Sequence, residues 1–318
     1  MHFSSKSLEI NGAAAENNKA LCLDALGLLA VCLLPFALAW DSARATSTLI
    51  SANDSFSQIL VIPFVSVFFI YEGRKRIFSA VYSAWLLGTA LIVPGLLLVF
   101  AAHLNVWELR PSNQGALFVF GVVLVWLGGF AFFFGPQAFW AARFPLLFLL
   151  SSVPIPEPIH SDIVAFLQKA SADAAELFFR LAGVPYFRED LIFNLPGLSI
   201  RVADECSGIR SSLALLITTV LASYVFLRSP WKRLLLCAVV VPLAVLKNGL
   251  RIATLSTLAI YVNPDFLSGT LHRRGGIVFF LVALVPITVL LKYLQKSEQA
   301  RVYSAKRRDS ARNQNDIS

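Results

Sequence analysis

Charge is what this sequence has least of. Only 14% of its 318 residues are Asp, Glu, Lys or Arg, against about 25% in an ordinary soluble domain. That is too little to clothe a water-soluble fold of this length, and it also excludes a disordered, charge-rich chain. Cysteine occurs four times, as Cys22, Cys32, Cys206 and Cys237, with no CxxC pair, which speaks against a disulfide framework and a thiolate metal site. The strings HExxH and GxSG do not occur, so neither a zinc protease of that type nor a rhomboid-type serine protease is indicated. There is no internal repeat, the usual sequence sign of an inverted-repeat transporter. Nor is there the sustained apolar–polar alternation of an outer-membrane barrel.

What is present is long apolar runs. Hydrophobic residues make up 57% of the chain and the mean hydropathy is +0.70. That fraction is about 180 residues, and one membrane-spanning helix takes about 20. Apolar blocks fall at about residues 20–40, 56–71, 79–101, 115–134, 138–153, 209–227, 234–261 and 275–294. The pattern predicts an all-α polytopic membrane protein with about eight transmembrane helices. The first block is long for a signal peptide and no small-residue cleavage site follows it, so a retained span is expected. The block at 138–153 is the shortest and is interrupted by Arg143.

The net charge of +8 would suggest nucleic acid in a soluble protein. Here lysine and arginine mark cytoplasmic loops instead, and no nucleic-acid partner is expected. With the N-terminus inside, inner loops hold Arg74, Lys75, Arg76, Arg143, Arg228, Lys232 and Arg233, whereas the short outer loops hold Arg44 and Arg110, with Arg273 and Arg274 beside His272 as interfacial anchors. The expected organisation is a cytoplasmic tail at 1–19, a membrane domain at 20–295 and a basic cytoplasmic tail at 296–318. That last tail is expected to be disordered and held near anionic lipid.

The stretch 154–205 then lies outside as an extracytoplasmic insertion. Pro154, Pro156 and Pro158 block helix continuation at its start. Residues 159–182 have helical periodicity, with Ile159, Ile163, Phe166, Ala170, Ala174, Leu177 and Leu181 on one face. This predicts an amphipathic helix lying on the membrane or over the bundle. Residues 191–203 predict a small β-hairpin around Pro196-Gly197, a type II turn pair, leading into Asp204-Glu205-Cys206.

Several polar residues stand where composition alone does not require them. Cys206 lies in Glu-Cys-Ser-Gly-Ile-Arg-Ser-Ser at the expected outer end of the sixth span, and a thiol in a first helical turn is activated by free N–H groups and the helix dipole. Asp204 and Glu205 act in the opposite sense. Ser207 or Asp204 is placed to cap the helix. Arg210, one turn on, suits either pairing with Asp204 or Glu205 or binding a carboxylate or phosphate. Arg251 sits inside the seventh block, where a guanidinium is costly and marks function or a structural ion pair. Asn248, three residues earlier, shares its face, and Lys247 is close by. His272 precedes the last span and reads by itself as a solvated loop histidine. The loop positions of His103 and His160 read the same way. Charge counting brings Cys206, His272 and the outer half of the seventh span to one face of the membrane, a combination suited to a nucleophile, a proton shuttle and an oxyanion stabiliser.

The motifs Cys206-Ser207-Gly208-Ile209-Arg210-Ser211, Asn248-Gly249-Leu250-Arg251-Ile252 and His272 followed by Gly276 resemble, in order and spacing, the exosortase/archaeosortase family, over most of the chain from about residue 56. The resemblance implies a bacterial inner-membrane cysteine peptidase or transpeptidase, without metal or organic cofactor. Its implied partners are secreted proteins ending in a short motif, a transmembrane helix and a basic end, with an amine-bearing acceptor for transfer. It implies Cys206 as nucleophile, Arg251 as transition-state stabiliser and His272 as acid/base, with Arg210, Asn248 and Ser207 in support. Many members carry an aromatic-Ser-His-Gly stretch near the second span, where this chain has Phe56-Ser57-Gln58-Ile59. That leaves open the subfamily and the signal it reads. The alternative from another class is a transporter or flippase that uses Arg210, Lys247 and Arg251 to bind an anion.

Overall fold

The computed structural model describes residues 23–52, 60–79, 81–203, 207–263, 266 and 270–315. The chain divides into two compact units, residues 1–159 and 160–318. The tail at 1–19 and the segment Phe56–Ile59 lie outside the described residues.

The first unit is all helix: α1 (Leu23–Leu38), α2 (Trp40–Ala52), α3 (Val61–Glu72), α4 (Arg74–Ile77), α5 (Trp85–His103), α6 (Pro111–Ala141) and α7 (Arg143–Phe148), the last running into a 3-10 turn at Leu149–Ser152. Its centre is the antiparallel pair α5–α6. A Cβ built on Gly95 would stand 2.9 Å from the Gly121 carbonyl, and one on Gly88 2.6 Å from the Phe132 Cα. Gly121 and Gly128 answer from α6, each 2.8 Å from a glycine carbonyl of α5. Glycine seven residues apart on both helices lets the backbones touch, which is how helices associate without a hydrophobic driving force between them.

Three apolar blocks of this unit depart from the span count. In the first apolar block α1 stops at Leu38, and α2 then leaves it at 85°. The fifth block is not a separate span. Gly135, with φ +78° and ψ 175°, breaks α6 just before Pro136, and the chain continues through the end of α6, α7 and the 3-10 turn. Gly-Pro accounts for the break: glycine accepts positive φ and proline cannot donate the next helical hydrogen bond. Together with α3, which has 12 residues, these are apolar helices shorter than a span. Five helices among the described residues are long and apolar enough to cross a membrane, or six if the bent pair is one span. The protein is thus a multi-pass helical membrane protein, and the count of eight is not reached by helix length. His103 is the last residue of α5 and its Nδ1 lies 3.1 Å from Ser42 Oγ, so it is tied within the unit rather than loose in a loop.

The second unit holds most of α8 (Glu157–Leu181), strands β1 (Phe187–Glu189), β2 (Ile192–Leu195) and β3 (Leu198–Arg201), then α9 (Ile209–Phe226), α10 (Pro230–Tyr261) and α11 (Thr270–Asn315). The expected hairpin is present as β2–β3, with Leu195 opposite Leu198 and Gly197 at φ +72°, as a type II turn requires. A third antiparallel strand, β1, precedes it, making a β1-β2-β3 meander. Its sequence, Phe-Arg-Glu, is too short and too polar to show alternation.

The α8 helix is present, but its buried face overlaps the expected stripe only in part, as at Ala174 and the half-buried Ile163. Ile159, Phe166, Leu177 and Leu181 are exposed, while Leu167, Ala172, Ala175 and Phe179 are buried. The face that packs is the one with small residues, which admit close neighbours. Phe179, Ala172 and Ala175 join Phe193, Leu195 and Val202 of the sheet region and Ala253 of α10 in one core cluster. His160 belongs to this helix rather than to a loop. At the far end of the unit, α11 continues to Asn315, so the basic tail expected to be disordered is helical.

Charges fasten β1 to α8. Glu176 Oε2 accepts from Arg188 Nη1 at 2.6 Å, Glu176 Oε1 accepts from the Tyr186 hydroxyl at 3.0 Å and from Arg180, and Arg188 Nη2 meets Asp173 at 2.8 Å. The hydrogen bond from Arg188, then that from Tyr186, holds the Glu176 carboxyl below its usual range. A carboxylate with a depressed folded-state pKa contributes stability that is present above the unfolded value, about 4.3, and lost as pH falls through the folded value. Glu176→Gln is therefore expected to lower the melting temperature at pH 7 and to flatten its dependence on pH below about 4.5. Thermal unfolding of detergent-solubilised protein across pH 3–7 checks this. An unchanged acid limb in the variant would remove Glu176 from the account.

Candidate active site

The candidate residues that can be located lie in the second unit, on α9, α10 and α11. The turn at the N-terminus of α9 is built from the sequence upward. Gly208 is the N-cap at φ +72°, in the left-handed region where a side chain costs about 1–2 kcal/mol. A Cβ there would also stand 2.6 Å from Asn248 Oδ1. Glycine is needed at 208 for both reasons, and the second of them brings Asn248 against the turn. Asn248 is itself 1% exposed. The next residue, Gly249, lets α10 close on α8: its Cβ would meet Ala174 Cβ at 2.5 Å and the Ala175 nitrogen at 2.8 Å. Ile209, the first residue of α9, packs with Val164 and Leu167 of α8, and Val245 of α10 lies against the same cluster. Three helices therefore meet at the turn that follows Cys206.

Polar ties hold the chain on both sides of the cysteine. Before it, Gln168 Nε2 of α8 donates to the Val202 carbonyl at 3.1 Å. After it, the ammonium of Lys247 donates to Ser211 Oγ, and Ser211 and Ser212 hydroxyls donate to the Gly208 carbonyl at 3.1 and 2.8 Å. Lys247 is 5% exposed, although it lies in a helix apolar enough to span.

Cys206 lies outside the described residues. The first residue of α9 is Ile209. Ser207 is buried and its Oγ accepts from the Ile209 N–H at 3.4 Å, a long bond at the place where capping was expected. Arg210 is exposed on the second residue of α9. Arg251 is half-buried, one turn beyond Asn248 on α10. His272 falls in the first turn of α11 rather than in a loop. Arrangement along the helices is consistent among them. Gly208 and the Arg228–Arg233 basic segment stand at opposite ends of the 18-residue α9, about 27 Å apart. Asn248 is about 27 Å along α10 from Pro230, and His272 about 33 Å along α11 from Leu294, whose carbonyl accepts from Lys232 at 3.0 Å. These lengths approximate the ~30 Å hydrocarbon thickness.

Four contributions were not read from sequence: the Gln168–Val202 bond, the packing of Asn248 against Gly208, the Lys247–Ser211 bond, and, last, the closure of Gly249 on the Ala174-Ala175 pair. The signal for the last was a small pair on α8 to match the glycine beside Asn248. Among the described residues no three His, Cys, Asp or Glu side chains are grouped as a metal site would need.

A multi-pass helical membrane protein is thus defined whose second unit carries Ser207-Gly208 ahead of α9, Asn248 and Arg251 one turn apart on α10, and His272 in the first turn of α11. The family model for transmembrane exosortases matches residues 40–289, and the chain belongs to that family. No curated protein and no solved structure matches it.

Proposed function

We propose that this protein is a membrane cysteine peptidase or transpeptidase that cleaves C-terminal sorting signals of secreted proteins at the outer face of the bacterial inner membrane. The observation that carries the reading is the anchoring of the chain on both sides of Cys206: Gln168 bonds Val202 ahead of it and Lys247 bonds Ser211 behind it, with Asn248 packed against Gly208. A nucleophile needs such a rigid support, since reacting atoms must be held to a fraction of an ångström. Family membership supports the activity class.

In the proposed course, the substrate's terminal helix docks laterally in the bilayer and its motif is presented to the site. The Cys206 thiolate attacks the scissile carbonyl, forming a carbon–sulfur bond and an oxyanion that Arg251 stabilises. His272 protonates the leaving amine as the peptide bond breaks, giving a thioester. Water, or the amine of an acceptor, then attacks the thioester and returns the thiol.

The basic segment Arg228, Lys232 and Arg233 at the other end of α9 and α10 supports the outer-face reading. Topology reporters fused after Arg76 or Arg233 are expected to report cytoplasm, and those at Asn194 or Ser268 the outside. A cytoplasmic signal at Asn194 would overturn the assignment. The burial of Lys247 in a span-length helix favours one other reading, an anion transporter. Cys206→Ser separates the two: the transporter keeps its flux, whereas the peptidase loses turnover.

A further inference from the structure

Lys247 carries the charge in α10 that the acyl-transfer scheme leaves unused. A cation inside a spanning helix is expensive, and Arg251 four residues on is a like-charged neighbour on the same face, which adds to the cost. Among the described residues the ammonium has one hydrogen-bond partner, Ser211 Oγ. Simple bridging of α9 to α10 does not need a charge. Methionine fills a similar volume, and glutamine can donate to the same hydroxyl. What the ammonium adds is a charge-assisted bond, shorter and stronger than a neutral one. Its acceptor, the Ser211 hydroxyl, in turn donates to the Gly208 carbonyl at 3.1 Å, and polarised bonds in series strengthen one another. Gly208 lies two residues after Cys206 at φ +72°, and because glycine takes positive and negative φ about equally readily, its neighbours must select this one.

We propose that Lys247 is a positioning residue of the acyl-transfer site: acting through the Ser211 hydroxyl, it fixes the Gly208 turn and with it the direction in which the chain delivers Cys206. The proposal rests on the reading of Cys206 as the nucleophile. It distinguishes Lys247 from Arg251, which acts on the substrate's oxygen. It also gives Ser211, rather than Ser207, the part of holding the turn.

The experiment uses full-length protein carrying Cys22→Ala, Cys32→Ala and Cys237→Ala, reconstituted in liposomes, with a Cys206→Ala version as blank. Two quantities are read: the alkylation rate of Cys206 by a maleimide, which needs no substrate, and kcat and KM for processing of a reconstituted sorting-signal protein. Lys247→Met is expected to lower kcat about 10- to 100-fold, the range a small misplacement produces, with KM within about twofold. Ser211→Ala is expected to do the same. The double variant falls no further than the worse single, because both act through one bond. Lys247→Arg regains most of the rate, and the alkylation rate moves by at least about threefold in both single variants. The proposal is overturned by unchanged kcat in both singles at normal membrane level, by losses that multiply in the double variant, or by alkylation equal to the parent throughout. If Lys247→Met does not accumulate, Ser211→Ala decides by the same two quantities. A parent protein that is alkylated at Cys206 yet processes its substrate equally well without the thiol contradicts the peptidase reading instead, and leaves the alkylation comparison standing.

Discussion

Replacing Cys206 with alanine is expected to reduce processing of a co-expressed sorting-signal protein to background, a loss of at least about 10³-fold, while the amount of protein in the membrane stays the same. The reasoning joins chemistry to fold. No hydroxyl or water near the turn is given an activating base in the proposed course, so the reaction has no second route. The Gln168–Val202 and Lys247–Ser211 hydrogen bonds and the packing of Asn248 against Gly208 do not use the thiol, so its removal does not loosen them. Cys32 and Cys237 are free thiols on α1 and α10, within apolar blocks where they act as small hydrophobes. Cys32→Ala, Cys237→Ala and Cys22→Ala are expected to be nearly silent. Quantitative immunoblotting of substrate and enzyme from the same membranes reads both halves of this expectation. Full turnover in Cys206→Ala would remove the thiol mechanism.

Arg251→Lys is expected to cost about 10²–10³ in single-turnover rate, the loss typical of removing one oxyanion donor. The substitution keeps the charge and gives up the planar, multi-donor fork. Arg251 lies half-buried on the face of α10 that carries Asn248, and Asn248 meets the turn after Cys206. A guanidinium at that depth suits a developing oxyanion better than a flexible ammonium does. A merely structural cation gives a different pattern: Lys close to normal in rate, and Arg251→Ala lost from the membrane. Measuring steady-state protein level beside single-turnover rate separates the two. Full rate in Arg251→Lys would move the oxyanion role to Arg210 or Lys247.

Much of this molecule is legible as sequence because apolar length and charge asymmetry are local signals. The blocks at 79–101, 115–134, 209–227, 234–261 and 275–294 each became a helix of spanning length, and Pro196-Gly197 turned where its chemistry requires. What sequence hid depends on contacts between distant residues. The fifth block looked like a span because hydropathy does not register the backbone break that Gly135-Pro136 introduces. In α8 the apolar stripe centred on Phe166 and Leu177 was plain, yet the packing face is set by Ala172 and Ala175, whose value lies in being small. The same limit applied at the site. Cys206, Arg251 and His272 were named from residue type and spacing. The two devices that organise the turn after the cysteine, Gly208 against Asn248 and Lys247 on Ser211, required the register between α9 and α10.

The central claim is that a thioester forms on Cys206 and that the substrate is cut beside its terminal helix. Intact-mass analysis of a co-expressed substrate tests it most directly, with the acid-quenched enzyme digested in parallel. With Cys206 present, the substrate is expected to lose its C-terminal helix and basic end at one bond, with either a free carboxylate or the added mass of one amine, and the Cys206 peptide is expected to carry the substrate's acyl fragment. With Cys206→Ala, the substrate is expected at full mass. A substrate trimmed at the same bond in both strains, or an acyl mass found on a residue other than Cys206, would contradict the account.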